Sequence, residues 1–231
     1  MTQANPRQNV TFPSNGNQAH GYLATPNNDG GPGVIVVQEW WGLDDHIVDI
    51  CDRLAAEGFV ALAPDLFGGR VTHDADEAGE LLASLPEDQA ARDLGGAVDY
   101  LLGLPAVTGD KVGAVGFCMG GGFVLALAAQ QGDRIGAAVP YYGVGYVPQD
   151  FSTVSAAVLG HYGEQDQMYP VEQARELEAK LKAQAKGPVS MYYYPAGHAF
   201  NNEQNHIGTH DPESAALAWQ RTVTFLHEQL G

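Results

Sequence analysis

Between Lys111 and Ala129 an apolar strand pattern, Val112–Phe117, runs into a glycine-hemmed turn and then into the apolar helical run Phe123–Ala129, with one thiol, Cys118, at the apex. A strand that reverses at once into a helix needs small residues around its apex, because the two elements then pass within van der Waals reach. Gly116, Gly120, Gly121 and Gly122 meet that need. The apex residue is forced into strained backbone angles, a cost of ~1–3 kcal/mol that persists where the side chain has chemical work to do. Cysteine at that point is a candidate nucleophile, since a thiol of ordinary pKa ~8.5 ionises far more readily than a hydroxyl. The strand–turn–helix setting favours this over a buried structural cysteine in a glycine-rich turn.

At 231 residues the chain suits one α/β domain, residues 1–231, large enough to bury about 70 % of its unfolded surface without staples. Two cysteines make no disulfide framework, and no N-terminal stretch has the layout of a secretory signal, so a cytoplasmic enzyme is expected. No apolar run approaches the roughly 18 residues of a membrane span. The formal charge of −17, from 28 acidic against 11 basic residues, excludes a nucleic-acid backbone as partner. What is left is a small-molecule enzyme, expected as a monomer or small homo-oligomer.

Along the chain, Asn27–Gly33 reads as a turn, and Val34–Val37 as a short, fully apolar strand of the kind buried in a parallel sheet. A helix over 45–57 carries Ile47, Ile50, Cys51, Leu54 and Ala55 on one face, which makes Cys51 a core residue. The strand 59–63 and helices near 74–84 and 87–102 follow. After the elbow and its helix come strands 135–142 and 156–162, a helix over 171–186, the strand 189–194 and a last helix over 212–230 with Ala216, Trp219, Val223, Leu226 and Leu230 inward. Strands alternating with helices imply a mainly parallel sheet flanked by helices on both faces, with functional groups beyond the carboxyl ends of the strands.

A thiol nucleophile requires a base and the base an orienting carboxylate, each from a later strand end. His198 follows the strand ending at Tyr194, and Asp166 lies in the loop after the strand ending at Tyr162, with Glu164 as its competitor. Asp166 has the better spacing to Pro170. His161 sits inside a strand and is expected to pack and hydrogen-bond locally. His206, His210 and Asp211 have the spacing of metal ligands on a helix, but Gly208 and Pro212 make that segment a loop, so no metal site is expected. His20, His46, His73 and His227 belong to no motif.

Glu39, at the exit of the buried strand 34–37, is either functional or turned to solvent, because an ionised group in dry surroundings costs several kcal/mol unless paired. Facing Cys118, it would hold the thiol neutral by like-charge repulsion. The amides of Trp40 and Met119 are the candidate oxyanion-hole donors, being the loop after an early strand and the residue after the nucleophile. Trp40 and Trp41 are candidate pocket walls.

With Gln38-Glu39-Trp40-Trp41-Gly42, Gly116–Gly121, Tyr141-Tyr142-Gly143, Gly163–Pro170 and Gly197–Phe200 in one order, the sequence closely resembles the dienelactone hydrolase family over nearly its whole length. The resemblance implies an α/β-hydrolase fold, a Cys118–His198–Asp166 triad, Glu39 as the carboxylate meeting the resting thiol, no metal or organic cofactor, and a small ester or lactone substrate. One departure stands out. Members acting on dienelactone hold its carboxylate with arginines, one just after the catalytic histidine, where this chain has Asn201-Asn202, and one in the region of residues 74–84, which has none. The ester or lactone chemistry is therefore a firmer expectation than that substrate. A thiol redox protein and a non-catalytic ligand binder on the same fold remain open alternatives.

Overall fold

The computed structural model describes residues 5–27 and 30–231. Eight strands, β1 (Val10–Ser14), β2 (Asn17–Ala24), β3 (Gly31–Val37), β4 (Val60–Pro64), β5 (Val107–Phe117), β6 (Ile135–Tyr141), β7 (Ala157–Gly163) and β8 (Val189–Tyr194), run in the order β1-β2-β4-β3-β5-β6-β7-β8. The helices are α1 (Asp45–Ala56), α2 (Ala75–Ser84), α3 (Glu87–Gly103), α4 (Met119–Gln131), α5 (Val171–Gln184) and α6 (Pro212–Leu230). Two compact units divide the chain, Met1–Val112 and Gly113–Gly231.

In the first unit β3 and β4 pair in parallel with Ile35 opposite Leu62, while β2 joins β4 antiparallel and β1 joins β2 as a hairpin. The run 34–37 is fully buried, as its unbroken β-branched character requires. Asp44 starts α1 by accepting the Ile47 amide at 3.1 Å, a capping bond worth ~1 kcal/mol. Ile47, Ile50, Cys51 and Leu54 are buried along it, so Cys51 is the core residue expected, its thiol pKa pushed well up by burial and by Asp52. Of the expected turn 27–33, Asn28 and Asp29 lie outside the described residues and Gly31–Gly33 are already strand. Glycine is required at 31 because a Cβ there would stand 1.8 Å from the Gly58 carbonyl oxygen.

In the second unit β6, β7 and β8 pair in parallel, with Tyr141 opposite His161 and His161 opposite Tyr192. Helix α4 is apolar all round and buried along most of its length, the pattern of a core helix. Helix α6 corrects the sequence reading. Its buried stripe is Ser214, Ala215, Ala218, Thr222 and Leu226, whereas Ala216 is exposed and Trp219, Val223 and Leu230 are only half-buried.

The reason is a polar chain that hydropathy does not count. Arg221 Nη1 donates to Tyr194 Oη at 3.0 Å, which leaves the Tyr194 hydroxyl proton for His161 Nδ1 at 2.8 Å. His161 Nε2–H then donates to Thr222 Oγ1 at 3.1 Å, and Thr222 donates to Tyr141 Oη at 2.7 Å. A buried hydroxyl with two partners outcompetes an apolar residue for the inward position. His161 thus packs and bonds locally, as expected. Burial and the Arg221 charge lower its pKa to about 3, so it is the neutral tautomer this chain requires.

Candidate active site

Cys118 links β5 to α4 at φ 53°, ψ −119°, angles that an L-residue rarely adopts and that cost ~1–3 kcal/mol. Two glycines show why the turn can close. A Cβ on Gly116 would lie 2.2 Å from the Gly120 carbonyl oxygen, and one on Gly143, in the loop after β6, 2.3 Å from the Cys118 carbonyl oxygen. The Cys118 amide donates to the Tyr141 carbonyl at 3.1 Å, tying the apex to the end of β6. The Met119 amide is the first of α4, one of the four that have no acceptor within their own helix.

The exits of β7 and β8 are zipped together by the amides of Glu164 and Gln165, which donate to the carbonyls of Tyr194 and Ala196 at 2.7 and 3.0 Å. This brings Asp166 to His198. Asp166 Oδ2 lies 2.7 Å from His198 Nδ1, and Oδ1 accepts the amides of Met168 and Tyr169 at 2.8 Å each. Both side chains are buried. Glu164 is half-exposed and faces Arg175 at 3.7 Å, so of the two candidate carboxylates only Asp166 orients the imidazole.

The Cys118 thiol lies beside the same imidazole, although His198 Nε2 has no well-aligned hydrogen-bond partner among the described residues. Burial lowers the His198 pKa, but the hydrogen bond to Asp166 and the neighbouring thiol outweigh it and raise the pKa to about 10. With Nδ1 engaged by Asp166, Nε2 is the nitrogen left to exchange a proton.

The histidine loop is held from behind. Thr209 Oγ1 donates to the His198 carbonyl, and His210 Nδ1 and the Asp211 amide both donate to the Phe200 carbonyl, at 2.9 and 3.0 Å. Asp211 also caps α6 through the Ser214 amide at 2.8 Å, and His206 Nε2 lies 2.7 Å from Gln204 Oε1. His206, His210 and Asp211 therefore have structural partners in a loop, the conformation their spacing to Gly208 and Pro212 implied.

In the first unit, Glu39 is 2 % exposed just past the end of β3, which rules out the solvent-facing reading. Trp40 beside it is half-buried and Trp41 buried, their rings 4.9 Å apart. Residues the sequence reading did not single out also border His198. Tyr142 and Tyr169 place their rings 5.2 and 5.5 Å from its imidazole. Tyr142 stood in the Tyr-Tyr-Gly segment and Tyr169 in the Gly163–Pro170 segment, so the signal that could have found both was their place in those segments.

The mostly parallel sheet with its strand–elbow–helix turn defines an α/β-hydrolase fold. The family model of the dienelactone hydrolase family matches residues 19–230, and the chain belongs to that family. It is 36 % identical over 230 residues to protein usf of Aquifex pyrophilus, covering 96 % of this chain and 99 % of that one. It is 31 % identical over 230 residues, with the same coverage, to a protein of Aquifex aeolicus provisionally named carboxymethylenebutenolidase. A crystal structure of a protein from Klebsiella pneumoniae, provisionally named dienelactone hydrolase, superimposes with a TM-score of 0.82 at 31 % identity, covering 94 % of this chain and 96 % of that one. Among the described residues no helix is long and apolar enough to cross a membrane.

Proposed function

We propose that this hydrolase cleaves a small, uncharged carboxylic ester or lactone through an acyl-thioenzyme, with Cys118 as nucleophile, His198 as base and Asp166 as its orienting carboxylate. The observation that carries the reading is His198: Nδ1 fixed 2.7 Å from Asp166, Nε2 unengaged, and the elbow thiol beside it. Sulfur attacks the carbonyl carbon as a thiolate whose proton is held on Nε2 of His198, as the raised pKa of that imidazole requires, and the Met119 amide at the start of α4 receives the tetrahedral oxyanion. Collapse expels the alcohol oxygen, which takes the proton from His198. Water, deprotonated by the same nitrogen, then hydrolyses the thioester and returns the thiol.

The burial of Glu39 supports a functional rather than a solvating residue, as the family resemblance implies. The preference for an uncharged substrate follows from Asn201 and Asn202, both buried, in the place of the family's carboxylate-binding arginine. A charge-assisted contact to that carboxylate would be worth ~1.5–3 kcal/mol. Both cysteines are unbridged, which suits a thiol enzyme of a reducing cytoplasm.

Incubation with p-nitrophenyl acetate tests the reading. A burst of nitrophenol with an acetyl adduct on Cys118 is expected, and Cys118→Ala should lose both. Hydrolysis at the wild-type rate by Cys118→Ala overturns the mechanism, and peroxide turnover without ester turnover replaces it with the redox alternative.

A further inference from the structure

Two loops beside the elbow carry aromatic side chains that the proposed chemistry does not use. In the loop after β6, Tyr146 is held at φ 58°, is 43 % exposed, and sets its ring 5.1 Å from that of Phe123, which lies one turn into α4 beyond Cys118. A bulky residue at positive φ is locally unfavourable. Close packing imposes it: a Cβ on Gly122 would lie 1.6 Å from the Gly145 carbonyl oxygen, so the loop runs directly over the first turn of α4.

Tyr169 approaches from the acid loop. Its ring lies 5.5 Å from the His198 ring, and its phenol oxygen reaches to 3.3 Å from where a Gly145 Cβ would stand. The side chain therefore extends from the imidazole to the residue adjoining Tyr146. Burial, then the neighbouring Cys118 and Tyr146, push the phenol pKa up to about 12, so it is a neutral wall. Tyr142 borders the imidazole too, its ring at 5.2 Å and 64°.

We infer that Tyr146 and Tyr169, backed by Phe123 and Tyr142, form the subsite that receives a flat, π-rich, uncharged ring of the ester substrate. The inference rests on the ester-hydrolase reading above and gives that substrate its shape. Aromatic walls reward a planar π partner beyond the area it buries, whereas a saturated ring of equal size gains the burial alone. None of the four side chains is cationic, and Asp166 accepts the Tyr169 amide at 2.8 Å, so an anionic ring substituent finds no ionic partner among them.

The test compares kcat/KM within two pairs of similar size, each ratio divided by that of the uncatalysed hydroxide hydrolysis rates: benzyl acetate against cyclohexylmethyl acetate, and methyl phenylacetate against methyl cyclohexylacetate. Wild type should favour the aromatic member of at least one pair. Tyr146→Leu, which faces the same backbone penalty as tyrosine, should cut that preference about fivefold, mainly through KM. Tyr169→Leu should cut it similarly, and Tyr169→Phe, which restores the ring, should recover it. Equal preference in wild type and Tyr146→Leu, or no recovery in Tyr169→Phe, overturns the inference. Acetylation of Cys118 by p-nitrophenyl acetate, followed by mass spectrometry in the same preparations, separates the two levels: an acylating enzyme without ring preference refutes only the subsite, and a thiol that never acylates refutes the hydrolase reading beneath it.

Discussion

His198 Nδ1 lies 2.7 Å from Asp166 Oδ2, while the other oxygen of that carboxylate is held by two backbone amides of its own loop. The acceptor is therefore immobile before any substrate arrives, and it fixes Nδ1 as the nitrogen that donates to the carboxylate. Asp166→Asn should lower kcat about 10³- to 10⁴-fold with a far smaller change in KM, because an amide can present the wrong group to Nδ1. Glu164→Gln, at a half-exposed position facing Arg175, should stay within about twofold of wild type. Steady-state kinetics on p-nitrophenyl acetate decide between the two carboxylates.

The same pair sets a pH signature in stability. His198 titrates at about 10 in the folded chain against 6.5 for an unperturbed histidine, so the folded state holds a proton that the unfolded state has released. The resulting stabilisation is complete below pH 6.5 and disappears as pH rises toward 10. The Tm advantage of wild type over His198→Gln should accordingly shrink across that window, which a thermal-melt series at constant ionic strength will show.

At His161 the sign is opposite. Neutral, buried His161, with a pKa lowered to about 3 from 6.5, refuses a proton that the unfolded chain accepts. Its contribution is present above pH 6.5 and is lost as pH falls toward 3. His161→Gln should flatten the acid limb of the stability curve even though it starts lower. Thr222→Val, which removes the acceptor of His161 Nε2 and the hydroxyl paired with Tyr141 Oη, should cost ~1–3 kcal/mol by denaturant titration at neutral pH.

Strain at the elbow is measurable without activity. Cys118 at φ 53° occupies a conformation that glycine tolerates and alanine does not. Cys118→Gly should be more stable than Cys118→Ala by ~1 kcal/mol, reversing the usual penalty for glycine beside a helix. Equal stabilities would mean that the turn carries no strain.

Most of the fold was legible because its elements announce themselves locally. The unbroken apolar run 34–37 became a buried strand, the strand expected over 135–142 runs Ile135–Tyr141, and helices start at Glu87 and Pro212, where expected. Chain order placed His198, and Asp166 with Glu164 as its competitor, at the exits of later strands, since each leaves the carboxyl end of one. The inward face of α6 was misread because Thr222 is polar by itself and acquires its reason to be buried only from Tyr141 and His161, at 81 and 61 residues' separation.

The sequence by itself thus determined the strand–helix alternation, the cysteine at a glycine-bounded apex and the order in which Cys118, Asp166 and His198 leave their strands, all of which depend on spacing and on each residue's own steric limits. Tertiary structure alone decided that Asp166 rather than Glu164 meets His198, that Glu39 is buried, and that Tyr169 stands between the thiol and Tyr146. Those outcomes depend on hydrogen bonds and ring contacts between segments distant in the chain, and no local pattern encodes a partner's position.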